Sequence, residues 1–297
     1  MFPKVPDYHK PNKPQVPNGL GIIYVLVSAT YLFLLDYFDK GLRTQNGIAS
    51  VSALTLVACI LFGGFMGLLD DWMDLRWRYK ALLPILASLP LAALRQGTPT
   101  MSTYFWGTIN FGAYGGLGRL AFYFGVIPLI VTITTNTINQ LGGLNGLETV
   151  CPSIVLFGLL LGSSSGFQVF LYVPLLAYVI LAFFNVQGKL FVGNTGSFAI
   201  GLTIAAYAII ANVEQTLVIS ILPYIFNSSL ILLTVFLSGK KASMLLEEKK
   251  LTSQSRRSLV TLITYHNPLN ERQVVTIVSF LITVSTALAL VVEFLMH

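Results

Sequence analysis

Nine apolar runs dominate this chain, at approximately 20–38, 47–69, 81–95, 119–138, 147–163, 167–186, 195–212, 215–238 and 273–294. A helix needs roughly 20 apolar residues to cross about 30 Å of hydrocarbon. Most of the runs meet that length, and those at 81–95 and 147–163 are short. Backbone polar groups in lipid must be satisfied within the segment, so runs of this kind span as helices. With 55% hydrophobic and 10% charged residues, the 297-residue chain does not read as a soluble globular protein. The sequence predicts an all-α, polytopic transmembrane helix bundle of about nine spans, a single domain over 1–297.

The charges say how the bundle is oriented. Threading the runs alternately puts the N-terminal segment 1–18 on the same side as the loops at 70–80, 139–146, 187–194 and 239–272. That side then holds fourteen of the eighteen Lys and Arg residues, leaving Lys40, Arg43, Arg95 and Arg119 on the other. Basic loops mark the cytoplasm, so the sequence predicts a cytoplasmic 1–18 segment, a long cytoplasmic loop at 239–272, and an active site built from cytoplasmic loops. The net charge of +6 is explained the same way and calls for no nucleic acid. Residues 1–18 are polar and proline-rich and do not read as a signal peptide. Cys59 and Cys151 lie inside apolar runs, as buried free thiols would.

One stretch breaks the apolar pattern. LLDDWMDLRWRYK, residues 68–80, carries Asp70, Asp71, Asp74, Arg76, Arg78 and Lys80. If the second run continues as a helix, Asp70, Asp74 and Arg78 share a face. Adjacent carboxylates repel and favour a cation between them, and hard divalent metals suit carboxylate and amide oxygens. The basic residues beside them suit phosphate. The bland alternative is a solvated basic loop with Trp72 and Trp77 as interfacial anchors, which accounts for the arginines but not for the aspartate pair.

Other polar segments fall on the same side. NTINQLGGLNGLE, residues 136–148, offers amide ligands at Asn136, Asn139 and Asn145 and close backbone approach at its glycines, or it is simply a tight turn. FVGNTGS, residues 191–197, has the form of a phosphate-cradling turn at a helix start, a weak signal alone. His266, in a polar loop, reads first as a solvated histidine. Lys240–Lys241 and Arg256–Arg257 fit contacts with anionic lipid, or the entry of an anionic substrate.

Taken in order, these segments resemble the polyprenyl-phosphate N-acetylhexosamine-1-phosphate transferase family, of the glycosyltransferase family 4 type. DYHKPNKPQVPNGLG resembles its N-terminal lysine motif, GLLDDWMDLRWRYKALLP its DD motif, and TNTINQLGGLNGLE its asparagine motif. FVGNTGSFAIG resembles its G-D-T-G motif and PLNERQ a late segment of the eukaryotic members. Gly142 and Asn145, where bacterial members carry aspartates, favour the eukaryotic and archaeal dolichyl-phosphate N-acetylglucosaminephosphotransferase branch.

The resemblance implies transfer of a sugar 1-phosphate from a UDP-sugar, expected to be UDP-N-acetylglucosamine, to a polyprenyl or dolichyl phosphate, with release of UMP. It implies Mg²⁺, with Mn²⁺ as a substitute. Asp70 and Asp71 would be catalytic, positioning the lipid phosphate or the metal. Asn139 and Asn194 would lie at the metal. Lys10 would face the lipid phosphate and Lys80 a phosphate. Asn136, Asn145, Gly146, Glu148, Lys240, Lys241 and Arg272 complete the expected substrate contacts. The expected partners are the UDP-sugar, the lipid phosphate and the bilayer of a plasma or ER-type membrane, with a homodimer left open.

Two departures stand out. The family's G-D-T-G aspartate, a metal ligand there, is Asn194 here, which predicts weaker Mg²⁺ binding. Family members also carry a helix before the lysine motif, whereas this sequence starts almost at that motif. Two other classes remain open: a catalytically weakened homologue that binds lipid phosphate, and an anion transporter. A transporter would ask for ionisable residues in mid-span, and Asp36, Arg95, Arg119 and Glu293 all lie near the ends of runs.

Overall fold

A computed structural model describes residues 2–42, 47–103, 107–238, 245–247 and 250–296. The chain opens with a hairpin, β1 (Lys4–Pro6) paired antiparallel with β2 (Gln15–Pro17). Asn12 and Lys13 take positive φ at its turn. Two long helices follow, α1 (Gly21–Leu42) and α2 (Gly47–Met73), then a short pair, α3 (Trp77–Ala87) and α4 (Leu89–Ala93). A second hairpin, β3 (Thr100–Thr103) with β4 (Gly107–Asn110), leads into α5 (Gly115–Ala121) and α6 (Ile127–Gln140). Next come α7 (Val150–Gly162), a turn of helix α8 (Ser165–Gln168), α9 (Tyr172–Val186) and α10 (Gly193–Ala211). The chain ends with α11 (Glu214–Ser220), α12 (Leu222–Ser238), a third hairpin of β5 (Leu245–Glu247) and β6 (Lys250–Thr252), α13 (Leu259–Ile263) and α14 (Glu271–Met296).

The polytopic helical fold is as the sequence predicts, but the span count is lower. Six helical segments among the described residues are long and apolar enough to cross a bilayer, and a seventh if α11 and α12, bent by 56°, count as one. The bend has a local cause: Pro223, at the second position of α12, has no N–H to continue the ladder from α11. Proline also shapes the 81–95 run, with Pro84 inside α3 and Pro90 at the start of α4, and the helix breaks at Ser88 between them. The 147–163 run gives only α7, 13 residues or about 20 Å.

The two short runs, 81–95 and 147–163, nevertheless pass from one end of the bundle to the other. Gly97 and Thr98, just past α4, meet Ile209 and Asn212 at the far end of α10. Gly162, closing α7, faces Thr216 of α11 at that same end. Glu293, late in α14, accepts a hydrogen bond from Thr216 there, while Glu271, at the start of α14, reaches Asn145 at the opposite end. Both short runs therefore traverse the bundle even though neither has full spanning length.

α10 is the axle. Nearly all of its residues are buried, and small ones let its neighbours come close. A Cβ on Gly63 would lie 2.8 Å from the Phe198 carbonyl oxygen, and one on Gly67 would lie 2.2 Å from that of Asn194. Gly21 of α1 lies equally close to Gly196. The buried Tyr24 hydroxyl is satisfied by donating to Thr203 at 2.7 Å. Cys59 and Cys151 are buried free thiols, as expected.

Candidate active site

The length of α2 delivers the aspartate pair. Its 27 residues run about 40 Å, more than a hydrocarbon core needs, and Asp70 and Asp71 stand in its last turn. Gly63 and Gly67 hold one face of α2 against α10, and Asp71, four residues past Gly67, falls on that face. It meets the first turn of α10 directly. Asp71 Oδ1 accepts from the Asn194 N–H at 3.0 Å, and Oδ2 accepts from the Thr195 N–H at 3.0 Å and the Thr195 hydroxyl at 2.8 Å. Helix N-termini leave N–H groups unpaired and attract negative charge, which is what a carboxylate supplies.

Asp70 has a different job. It is buried, and its Oδ1 accepts from the Leu75 N–H at 3.0 Å and pairs with Lys80 Nζ at 2.8 Å. Lys80 also lies 3.9 Å from Asp74, whose positive φ turns the chain between α2 and α3. The two adjacent carboxylates thus part company: Asp71 holds α10, and Asp70 holds the 70–80 turn. Trp72 and Trp77 are exposed, as interfacial anchors are.

Beside Asp71 is a cavity of about 280 Å³ whose polar wall includes Asp71, Asn139, Glu148, Asn194 and Ser197. Val5 and Asn18 of the N-terminal hairpin region line it as well. Asn139, near the end of α6, accepts from the Ser197 hydroxyl at 2.5 Å, tying α6 to the first turn of α10. Glu148 Oε1 accepts from the Gly143 N–H at 2.9 Å, which folds the glycine-rich loop back on itself. Burial pushes the Glu148 carboxyl above its ordinary value; the Gly143 hydrogen bond opposes the rise and the charge of Asp71 adds to it.

A second polar cluster forms from three distant segments. Asn145 Nδ2 donates to Asp7 Oδ2 and to Glu271 Oε1, both at 2.8 Å, and its backbone N–H donates to the same Glu271 oxygen. Lys10 pairs with Asp7 at 3.2 Å and packs tightly over Gly188. Gly146, at φ +111°, donates its N–H to Asn185 Oδ1 at 2.7 Å, and Asn185 also takes the Thr149 hydroxyl at 2.9 Å. The glycine is required there by both its backbone angle and Val275, which a Cβ would meet at 2.8 Å.

The structure therefore gathers Asp71, Asn139, Glu148 and Asn194 around one cavity, and Lys10, Asn145 and Gly146 in the adjoining cluster. Asn136 is elsewhere: its amide donates to the carbonyls of Ala81 and Thr132 and joins α6 to α3. Arg272 is exposed at the start of α14. Lys240 and Lys241 lie outside the described residues. Three further residues, absent from the expected site, anchor this cluster: Asp7, Asn185 and Glu271. Asp7 and Glu271 lie inside the quoted segments DYHKPNKPQVPNGLG and PLNERQ, beside Lys10 and Arg272, and Asn185 is an amide inside an apolar helix, an expensive placement without a partner.

The cavity's donor set is all oxygen, from two carboxylates and two side-chain amides. No group of three or more His, Cys, Asp or Glu side chains suited to a metal occurs among the described residues. That set fits an ion which keeps several waters and takes only one or two protein carboxylates along with substrate phosphate, as Mg²⁺ does.

A model of the family described as glycosyl transferase family 4 matches residues 53–212, from α2 to the end of α10. The chain belongs to glycosyl transferase family 4. Among its relatives in this family, a candidate UDP-N-acetylglucosamine–dolichyl-phosphate N-acetylglucosaminephosphotransferase of Saccharolobus solfataricus is 34% identical over 239 residues, 77% of this chain and 69% of that protein. The UDP-N-acetylglucosamine–dolichyl-phosphate N-acetylglucosaminephosphotransferase of Dictyostelium discoideum is 28% identical over 251 residues, 72% of this chain and 59% of its own length. A phospho-N-acetylmuramoyl-pentapeptide-transferase of Streptococcus equi subsp. zooepidemicus is 27% identical over 239 residues, 75% of this chain and 68% of its own. The glycosyl transferase family 4 match covers both Asp71 and the turn at Asn194 that it grips.

Proposed function

We propose that this protein transfers N-acetylglucosamine 1-phosphate from UDP-N-acetylglucosamine to a polyprenyl phosphate of the dolichyl type. A lipid phosphate oxygen attacks the sugar-bearing phosphorus in line. The bond from that phosphorus to the bridging oxygen breaks, and UMP leaves with the electron pair. The observation that carries this reading is Asp71 fixed across the N-terminus of α10 at the wall of an oxygen-lined cavity. Family membership and the relatives' names support the substrate classes.

The chemistry asks mainly for charge management. Phosphate monoesters have a second pKa of about 6, so the lipid phosphate is largely dianionic near neutrality and needs little help from a base. Its obstacle is repulsion from the nucleotide diphosphate, which positioned cations relieve. Mg²⁺, or Mn²⁺ in its place, would be held by Asp71, Asn139, Asn194 and Glu148 and would screen the diphosphate. Asp71 orients Asn194 by gripping its backbone, and Ser197 sets the amide of Asn139. Lys10, part-exposed beside Asp7, is available to the lipid phosphate. An apolar groove beginning at Val150, Val186 and Gln187, directly below the Asn145 cluster, gives an isoprenoid chain a dry surface between α7 and α9.

Asn194 favours a second reading, a homologue with weakened catalysis, because an amide brings one less negative charge to the cation than the aspartate of the resembled motif. The deciding test uses radiolabelled UDP-N-acetylglucosamine, a short polyprenyl phosphate and Mg²⁺ with the full chain in detergent. Label entering the lipid phase only when the acceptor phosphate is present supports the transferase; retention of lipid phosphate with no transfer supports the weakened homologue.

A further inference from the structure

The end of the bundle opposite Asp71 carries a second polar cavity, of about 240 Å³, with Glu214, Gln215, Glu293, Asn212, Thr98 and Thr100 in its wall. Three separate parts of the chain build it. Asn212, in the left-handed conformation that closes α10, accepts from the Thr98 N–H at 2.7 Å and the Thr98 hydroxyl at 2.9 Å, so the strand entry before β3 is pinned over the start of α11. Glu293 comes from the last turns of α14, and its Oε2 accepts from the Thr216 hydroxyl at 2.6 Å. Glu214 is the first residue of α11, 5% exposed, and its Oε1 accepts no hydrogen bond. No basic side chain lines the cavity among the described residues.

A buried carboxylate oxygen without a partner is costly, and a second carboxylate in the same cavity raises the cost. Two things can relieve it, a proton or a cation. The surrounding donors favour the second: the wall is rich in oxygen acceptors from carboxylates, amides and hydroxyls, the set hard cations prefer. The donors are spread over α11, α14 and the β3 entry rather than arranged on one rigid element. Ca²⁺ tolerates such irregular shells of six to eight oxygens, whereas Mg²⁺ demands a tight octahedron.

We propose that this cavity binds a hard divalent cation, Ca²⁺ before Mg²⁺, through the carboxylates of Glu214 and Glu293. Bound there, the ion clasps α14 to α11 and to the β3–β4 hairpin. This site stands apart from the transferase reading, since it lies at the other end of α10 and shares no residue with the Asp71 cavity.

The experiment measures thermal unfolding of the full chain in detergent while CaCl₂ is raised from roughly 0.1 to 10 mM, the range of weak Ca²⁺ modules, with MgCl₂ and NaCl at matched ionic strength. Equilibrium binding of radiolabelled Ca²⁺ is measured alongside. The expected result is a saturable rise in Tm that is larger for Ca²⁺ than for Mg²⁺. Bound Ca²⁺ should fall by one equivalent per chain in Glu214→Gln and in Glu293→Gln but not in Asp71→Asn, with sugar-phosphate transfer unchanged in Glu214→Gln. Wild-type protein that takes up no Ca²⁺ overturns the proposal even if the variants do not fold. So does Ca²⁺ uptake lost in Asp71→Asn and kept in Glu214→Gln, or a Glu214→Gln protein more stable than wild type at every Ca²⁺ concentration, which would mean that Glu214 carries a proton.

Discussion

Asp71 and Thr195 are joined twice: one carboxylate oxygen of Asp71 accepts both the backbone N–H of Thr195, at 3.0 Å, and its hydroxyl, at 2.8 Å. The contact links the end of α2 to the start of α10 across 124 residues of sequence. It also fixes where Asn194 sits, because the other oxygen of Asp71 takes the Asn194 N–H. Removing the hydroxyl alone tests whether this double contact matters. Thr195→Val keeps the shape and the backbone bond, and kcat should fall about tenfold, about 1.4 kcal/mol in the barrier, with Tm nearly unchanged. Undiminished kcat would show that the N–H contacts suffice.

Gly67 is where α2 and α10 come closest to the site. An alanine there would place its Cβ 2.2 Å from the Asn194 carbonyl oxygen, and backbone cannot swing aside as a side chain can. Gly67→Ala should destabilise the protein by about 1–3 kcal/mol, the usual range for overpacking, and should lower transfer along with it. Gly116→Ala, where a Cβ meets nothing within 4 Å, is the control and should leave thermal unfolding and transfer as they are.

Asn194 lines the cavity with an amide where the resembled motif has a carboxylate. Asn194→Asp adds a negative charge beside Asp71 and Glu148 and should tighten Mg²⁺ binding by roughly tenfold or more, the expected gain from an anionic oxygen ligand on a hard cation. Titration of transfer rate against Mg²⁺ reads this out. An unchanged half-saturating concentration would remove position 194 from the ion's shell.

Glu148 predicts a pH effect on stability. Its carboxyl is raised above the ordinary 4.5 by burial, so the folded chain holds a proton that the unfolded chain has released. In that window the native state binds more protons, and stability must fall as pH rises. The contribution is fully present below about pH 4.5 and is lost as pH climbs through the raised folded value. In EDTA, without the Mg²⁺ that would keep Glu148 ionised, Glu148→Gln, neutral throughout, should flatten the fall of Tm with pH over this window; parallel curves for the two proteins would contradict the assignment.

Much of this was readable in the sequence because the apolar runs and the polar segments obey different constraints. Runs long enough to cross a bilayer fixed the all-helical class, and their alternation placed the polar loops at one end, where Asp71, Asn139, Glu148 and Asn194 do line one cavity. What failed was local. Pro84, Pro90 and Pro223 break or bend runs that hydropathy alone reads as whole spans. Asp70 and Asp71 look equivalent in sequence, yet neighbouring positions on a helix point about 100° apart, so one faces Lys80 and the other α10. Asn136 matched the motif but serves the α3–α6 contact. Asp7 and Glu271 reach Asn145, and Asn185 reaches Gly146, from more than thirty residues away, which spacing cannot reveal.

The most direct measurement is UMP release by wild-type and Asp71→Asn protein with UDP-N-acetylglucosamine, Mg²⁺ and saturating polyprenyl phosphate. An amide presents one acceptor oxygen where the carboxylate presents two, so it cannot hold both Asn194 and Thr195 as Asp71 does. UMP release should require the lipid phosphate in the wild type and fall at least a hundredfold, about 2.7 kcal/mol in the barrier, in a variant that still folds. Equal rates from the two proteins, or UMP release that ignores the lipid phosphate, would contradict the proposed transfer at Asp71.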